Sequence, residues 1–432
     1  MKNFLLLLTY LFVLNACTHK DKVSVLSNED GMKLVVNGKD FMINGMNWDY
    51  FPIGTNYSYS LWQQPEDVIK NALDAEMTLL KDMGVNTVRV YTSIQPKWIT
   101  YIYEKYGIYT MLNHSFGRYG LSINGKWIPV TDYSNLDAQK VLIQEVSEMT
   151  ETYKNTPGLL LFLLGNENNY GLFWAGAETE NFPNNEEEIA AKGEKLGRPM
   201  YRLMNKAAKK IKSIDGSHPV AICNGDLGFI DIIAEECLDV DIYGTNMYRG
   251  KSFGDAFESV KKELNMPIMF TEFGADAFDV LKNKENQKMQ AFYMVENWKE
   301  IYENSAGLGK SGNSIGGFTF QFSDGWWKFG QTKNLEIQDN NASWEGGGYS
   351  FDYTEGINNM NEEWFGICAK GPTNEKGLYT LYPRAAYYAL KKVHQLNLYD
   401  ESINTTTVLK HFSEIKLTDA VLMARENKVS LD

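Results

Sequence analysis

Two glutamates stand out by the residues that precede them. Leu163-Leu164-Gly165-Asn166-Glu167 and Phe270-Thr271-Glu272-Phe273-Gly274 each carry an apolar run to a carboxylate. Runs of this kind fill buried parallel strands. At the carboxyl end of a strand in a (β/α)8 barrel, side chains face the mouth where chemistry is done. Two carboxylates meeting there can break a glycosidic bond: one protonates the leaving oxygen and the other attacks the sugar. A single strand-end glutamate is as readily a solvated turn residue. The pair is the stronger signal, because it closes the fourth and seventh strands on opposite sides of one mouth. Carboxyls about 5 Å apart across a sugar would be the retaining arrangement.

Positioning such a pair needs alternating strands and helices, and the chain supplies them. Short apolar runs alternate with amphipathic stretches, the pattern of βα units. Asn37-Gly38 marks a hairpin turn between 32–36 and 40–43, placed to close a barrel floor. Strand one runs to Asn47-Trp48, strand two over 86–91, strand three over 108–113 and strand four over 159–166. Strands five to eight follow at 219–223, 240–245, 267–272 and 316–322. Helices are expected at 66–83, 97–106, 137–154, 186–213, 253–264 and 284–303, and one after strand eight from Tyr382-Pro383 to Gln395. The economical fold is an α/β (β/α)8 TIM barrel over 31–397. An open doubly wound sheet would announce itself with a Gly-rich phosphate loop after strand one. Asp49-Tyr50-Phe51-Pro52 stands there instead. A 323–378 loop rich in Trp, Gly and Asn follows strand eight, a length expected where function demands it. The tail, 398–432, holds one amphipathic stretch, Leu409 to Arg425, read as a packing helix.

Composition limits the partners. The 432 residues are 44% hydrophobic and 22% charged, enough apolar content for a large core. A net charge of −13 argues against a nucleic-acid partner. The 13% aromatic share suits stacking on sugar rings, although much of it can be core. Lys2 followed by the apolar run Phe4 to Leu14 forms an export signal too short to span a bilayer. Leu14-Asn15-Ala16-Cys17 resembles a bacterial lipoprotein cleavage box, with Cys17 as the lipidated residue. Asn15 departs from the small residue usual there, and an ordinary secretory signal is the alternative. Residues 18–30 read as a polar tether. The expected location is the bacterial cell envelope, lipid-anchored in the periplasm or at the outer membrane surface. Cys223, Cys237 and Cys368 match no zinc or CxxC spacing. Cys223, after Val-Ala-Ile, reads as a small buried apolar residue. No metal and no organic cofactor are expected.

Four segments together resemble a known family. Gly84-Val85-Asn86-Thr87-Val88-Arg89-Val90-Tyr91, Leu164-Gly165-Asn166-Glu167, Asp241-Ile242-Tyr243-Gly244-Thr245-Asn246-Met247-Tyr248 and Thr271-Glu272-Phe273-Gly274 are similar to clan A glycoside hydrolases. The nearest patterns are the catalytic barrel of glycoside hydrolase family 2 and the β-1,3-glucanosyltransferases of family 72. The resemblance covers residues 32–395. It lacks the β-sandwich domains that precede a family 2 barrel and the cysteine-rich module common in family 72.

The resemblance implies roles. Glu167 is the general acid/base, kept protonated by burial and the neighbouring Glu272 charge. Glu272 is the nucleophile, kept ionised by Arg89. Asn166 donates to the sugar 2-hydroxyl, Tyr248 or Tyr243 (the first favoured) hydrogen-bonds the nucleophile, and Asn246 joins them from the sixth strand. His114 ends strand three as a candidate sugar contact or a structural histidine. One of Trp326 and Trp327, which follow Asp324, is expected to floor the sugar site. Trp48, Asn47 and Trp174 are weaker candidates for its wall. The implied activity is a retaining β-glycosidase on an oligo- or polysaccharide, β-glucan favoured. Transglycosylation on the same site and a non-catalytic glycan-binding lipoprotein are the alternatives. Membrane contact is expected only through the lipid.

Overall fold

The computed structural model describes residues 21–172, 185–280, 282–327, 330–340 and 360–429. Cys17, Trp174 and much of the loop after strand eight lie outside the described residues. Eight parallel strands close a barrel in chain order: β1 Ile43–Asn47, β2 Thr87–Tyr91, β3 Tyr109–His114, β4 Leu159–Leu164, β5 Val220–Gly225, β6 Ile242–Asn246, β7 Ile268–Phe273 and β8 Ser314–Thr319. The helices that follow them are α1 Glu66–Met83, α2 Pro96–Tyr106, α3 Leu136–Tyr153, α4 Arg198–Ile214, α5 Ile230–Glu236, α6 Ala256–Leu264, α7 Gln287–Glu303 and α8 Ala385–Val393. The fold is a (β/α)8 TIM barrel.

Local chemistry sets these elements. α1 ends at Gly84, whose φ of +88° closes the helix in the left-handed form that glycine adopts without strain. Asn135 caps α3 by accepting from the N–H groups of Asp137 and Ala138. The β8–β1 seam closes on Gly316, where a Cβ would stand 2.2 Å from the Ile43 carbonyl oxygen. Inside the barrel Met111, Leu161, Ile242, Met269 and Phe318 share one apolar cluster with Val23, Leu34 and Val36. Those last three come from a three-stranded antiparallel sheet, Val23–Asn28, Gly31–Val36 and Lys39–Phe41, which seals the floor.

The structure departs from the sequence expectations in five places. Residues 23–28, expected as tether, pair with Gly31–Val36, because Val23 and Leu34 have barrel interior to bury against. The expected 186–213 helix is broken into Glu186–Lys192, a π turn at Gly193–Gly197, and α4. α5 had no strong periodic signal and was not expected. The far part of the 323–378 segment is ordered as a turn at Glu362–Trp364 and a hairpin of Cys368–Thr373 with Tyr379–Pro383. The tail forms two helices, α9 Thr405–Glu414 and α10 Leu417–Val429, where one was expected. Asn404 caps α9 through the Thr407 N–H.

Candidate active site

β4 delivers Glu167 through a sharp turn. Gly165 has φ +87° and its N–H donates to the His114 carbonyl. A Cβ there would lie 2.7 Å from Asn168 Oδ1, the atom that accepts the Asn166 N–H. Glu167 itself is left-handed, φ +55°, with its N–H on the Cys223 carbonyl. Glu272 comes from β7, paired in register with Asn246 of β6. Asn246 Nδ2 donates to Glu167 Oε1 at 3.1 Å and to Asn166 Oδ1 at 3.0 Å.

Arg89, rising from β2, organises the other carboxylate. Its Nη1 is 2.7 Å from Glu272 Oε1, with side-chain exposures of 1% and 13%. The same guanidinium donates to Asn113 Oδ1 through Nε (2.9 Å) and Nη2 (2.6 Å), and to Asn166 Oδ1 at 2.8 Å. It reaches the Thr271 carbonyl at 3.2 Å. The Tyr248 hydroxyl donates to Glu272 Oε2 at 3.0 Å. Asn246 and Arg89 thus link the two carboxyls through successive contacts, so Glu167 and Glu272 belong to one cluster at the strand ends.

Their surroundings differ. Burial, first, and the Glu272 charge, second, push the Glu167 carboxyl up to about 7. Arg118, Asn246 and Arg89 pull the other way. Glu272 instead has a cation and a phenol directly on its oxygens. Beneath them, Cys223 Sγ lies 3.2 Å from both Asn246 Oδ1 and Thr271 Oγ1, and burial raises its thiol to about 11.

Other expected site residues are placed differently. Trp48 is buried between barrel and α1: its indole N–H donates to Glu76 Oε2 at 2.6 Å and its ring meets Trp62. It is not part of the cleft wall, because burying an indole requires an acceptor and Glu76 supplies it. His114 turns outward, accepting the Phe116 N–H at Nδ1 with Nε2 3.5 Å from Glu145 of α3. That is the structural histidine, and burial lowers its pKa to about 4. Tyr243 donates to the Asp226 carbonyl, so Tyr248 is the tyrosine on Glu272. Asn47 braces the ring of contacts, donating to the carbonyls of Thr271 and Phe318. Asp324 is spent in a buried two-point pair with Arg384, at 2.6 and 2.7 Å. Trp327 packs against Phe51 and Tyr57 on the segment after β1. Trp326 follows Gly325 with a left-handed backbone. Rings set against Tyr248 include Phe320, just past β8, and Phe365.

Sequence reasoning missed Asn113, Tyr119 and Phe320. Asn113 could have been found as a polar residue ending an apolar strand beside Arg89. Tyr119 and Phe320 carry no pattern that separates them from core aromatics.

The family model of the glycosyl hydrolases family 2 TIM barrel domain matches residues 28–303. The chain belongs to glycosyl hydrolase family 2. The chain is similar in sequence to a probable 1,3-β-glucanosyltransferase of Saccharomyces cerevisiae, 27% identical over 45% of this chain and 38% of that protein. A second 1,3-β-glucanosyltransferase of the same yeast is 26% identical over 56% of this chain and 50% of its own length. The chain therefore spans half or less of these relatives. Among solved structures, a family 2 β-galacturonidase from Eisenbergiella tayi superposes with a TM-score of 0.54 at 17% identity, covering 88% of this chain and 55% of that one. A Parabacteroides merdae β-glucuronidase gives 0.51 at 16% identity, covering 86% and 38%. These likenesses concern the fold.

Proposed function

We propose that this family 2 barrel is a retaining β-glycosidase in which Glu272 is the nucleophile and Glu167 the acid/base. The supporting observation is the unequal surroundings of two carboxyls in one cluster of contacts. Arg89 and Tyr248 hold Glu272 ready to attack, while burial and the Glu272 charge keep Glu167 protonated to about pH 7. In the first step a Glu272 oxygen bonds to the anomeric carbon as the bond to the leaving oxygen breaks. Glu167 gives that oxygen its proton. In the second, the Glu167 carboxylate takes a proton from water, whose oxygen displaces Glu272 and regenerates both groups. Asn166 presents its amide N–H to the sugar 2-hydroxyl. The likeness to 1,3-β-glucanosyltransferases favours a β-glucan substrate. It also supports a second reading, in which a sugar hydroxyl replaces water as acceptor.

Incubation with a 2-fluoro β-glycoside tests the mechanism: the sugar mass should appear on the peptide holding Glu272. An unlabelled enzyme that nevertheless cleaves would refute the covalent step, and an unlabelled protein that only binds would support a glycan-binding role. Products from a panel of β-glucans, β-mannans and β-galactosides fix linkage and acceptor. We further propose a lipid anchor at Cys17 in the bacterial cell envelope, on the strength of the Lys2–Cys17 pattern. Loss of labelled palmitate from Cys17→Ser would support it, and retained label would not.

A further inference from the structure

Asn166 has little freedom in how it meets a substrate. Its Oδ1 already accepts from Arg89 Nη2 at 2.8 Å and Asn246 Nδ2 at 3.0 Å, so only its amide N–H groups face outward. Nδ2 lies 2.6 Å from the hydroxyl of Tyr119, donating to it. Tyr119 belongs to the segment between β3 and the hairpin Leu121–Ile128. The residue is 39% exposed, and the buried Arg118 guanidinium lies 5.5 Å from its ring centre. Asn166 is thus aimed by a barrel cation on one side and by an exposed phenol on the other. A sugar oxygen that approaches Asn166 Nδ2 also comes within reach of the phenol oxygen beside it.

We propose that Tyr119 is a specificity-determining residue that reads, with Asn166, the substituent on C2 of the sugar bound between Glu167 and Glu272. The inference rests on the glycosidase reading above and deepens it. The substrate class it selects is the β-glycoside bearing a free 2-hydroxyl. A hydroxyl matches the paired N–H and phenol in size and in hydrogen-bonding capacity. A 2-acetamido group would have to displace the Tyr119 ring, and a 2-deoxy sugar offers no oxygen to the second Asn166 N–H or to the phenol. Fixing Asn166 by a 2.6 Å bond also spares the ordering of a free amide when substrate binds.

The test compares wild type and Tyr119→Phe on matched 4-nitrophenyl β-glycosides, with and without the 2-hydroxyl, of the sugar identified by the substrate panel. The phenylalanine should lower kcat/KM about tenfold on the 2-hydroxy substrate, the loss typical of one hydrogen bond. On the 2-deoxy substrate the loss should be about twofold, so the preference for the hydroxyl narrows about fivefold. Equal losses on both substrates would overturn the proposal, because a residue that only shapes the loop lowers both alike. No loss on either would also overturn it. If wild type turns over neither substrate and gains no label on Glu272, the glycosidase reading fails and this inference fails with it.

Discussion

Replacing Arg89 by methionine removes the group that joins β2 to the ends of β3, β4 and β7. Methionine keeps comparable bulk, so the loss is polar. Glu272 Oε1, Asn113 Oδ1 and the Thr271 carbonyl each lose a donor in a buried setting, and Asn166 Oδ1 keeps Asn246 and the longer Cys223 thiol contact. Breaking a buried ion pair by deleting one partner costs roughly 3–5 kcal/mol. With an unfolding entropy of about 2.1 cal/mol/K per residue over about 400 residues, each kcal/mol is worth about 1 °C. The melting midpoint should therefore fall by about 4–6 °C at a fixed scan rate. Activity should fall further in proportion, about 10²- to 10³-fold in kcat/KM, because Glu272 loses the donor that holds its charge in place. Arg89→Lys should sit between, since one ammonium cannot span Glu272, Asn113 and Asn166 as the planar fork does. Calorimetry and steady-state kinetics on the three proteins check this. A methionine variant that melts within about 1 °C of wild type and keeps most of its turnover would refute the claim that Arg89 organises the site.

Three further outcomes follow from the same geometry. The alkaline limb of kcat/KM should bend near pH 7, because burial and the Glu272 charge hold the Glu167 proton up to about that value and activity is lost as it leaves. A flat profile from pH 5 to 9 would exclude Glu167 as the acid. Gly165→Ala forces a side chain into φ +87° and against Asn168 Oδ1. It should cost about 1–3 kcal/mol in denaturant unfolding and lower kcat through misplacement of Asn166 and Glu167. Glu76, buried behind Trp48, has its carboxyl raised to about 8, chiefly by burial and against the Trp48 hydrogen bond. Its unfolded form releases the proton near the usual 4.5, so stability should decline as pH rises from about 4.5 to 8. Glu76→Gln should flatten that decline with little change in kcat, and equal slopes in the two proteins would remove Glu76 as its cause.

Much of the site was legible in the chain. The strand-end glutamates, Arg89 and Asn166 carry sequence signals because a barrel brings successive strand ends to one mouth. Any polar residue ending an apolar run is thereby a candidate. The signal says nothing about direction. Trp48 and His114 end their strands just as Asn47 and Asn113 do, one residue earlier. With a side-chain period of two, the first pair turns toward the helices and the second toward the barrel axis. Asp324 and Arg384, 60 residues apart, find each other only when the Cys368–Thr373 hairpin folds back on β8.

Local order therefore marked the eight strands and the two candidate acids, because periodicity and apolar runs are properties of neighbours in the chain. Tertiary packing alone decided which aromatics reach the pocket, and it set Tyr119 on Asn166, 47 residues away. It also buried the Glu167 carboxyl beside the Glu272 charge. Burial and a charge from another strand are sums over atoms far apart in sequence, and no short window of residues contains them.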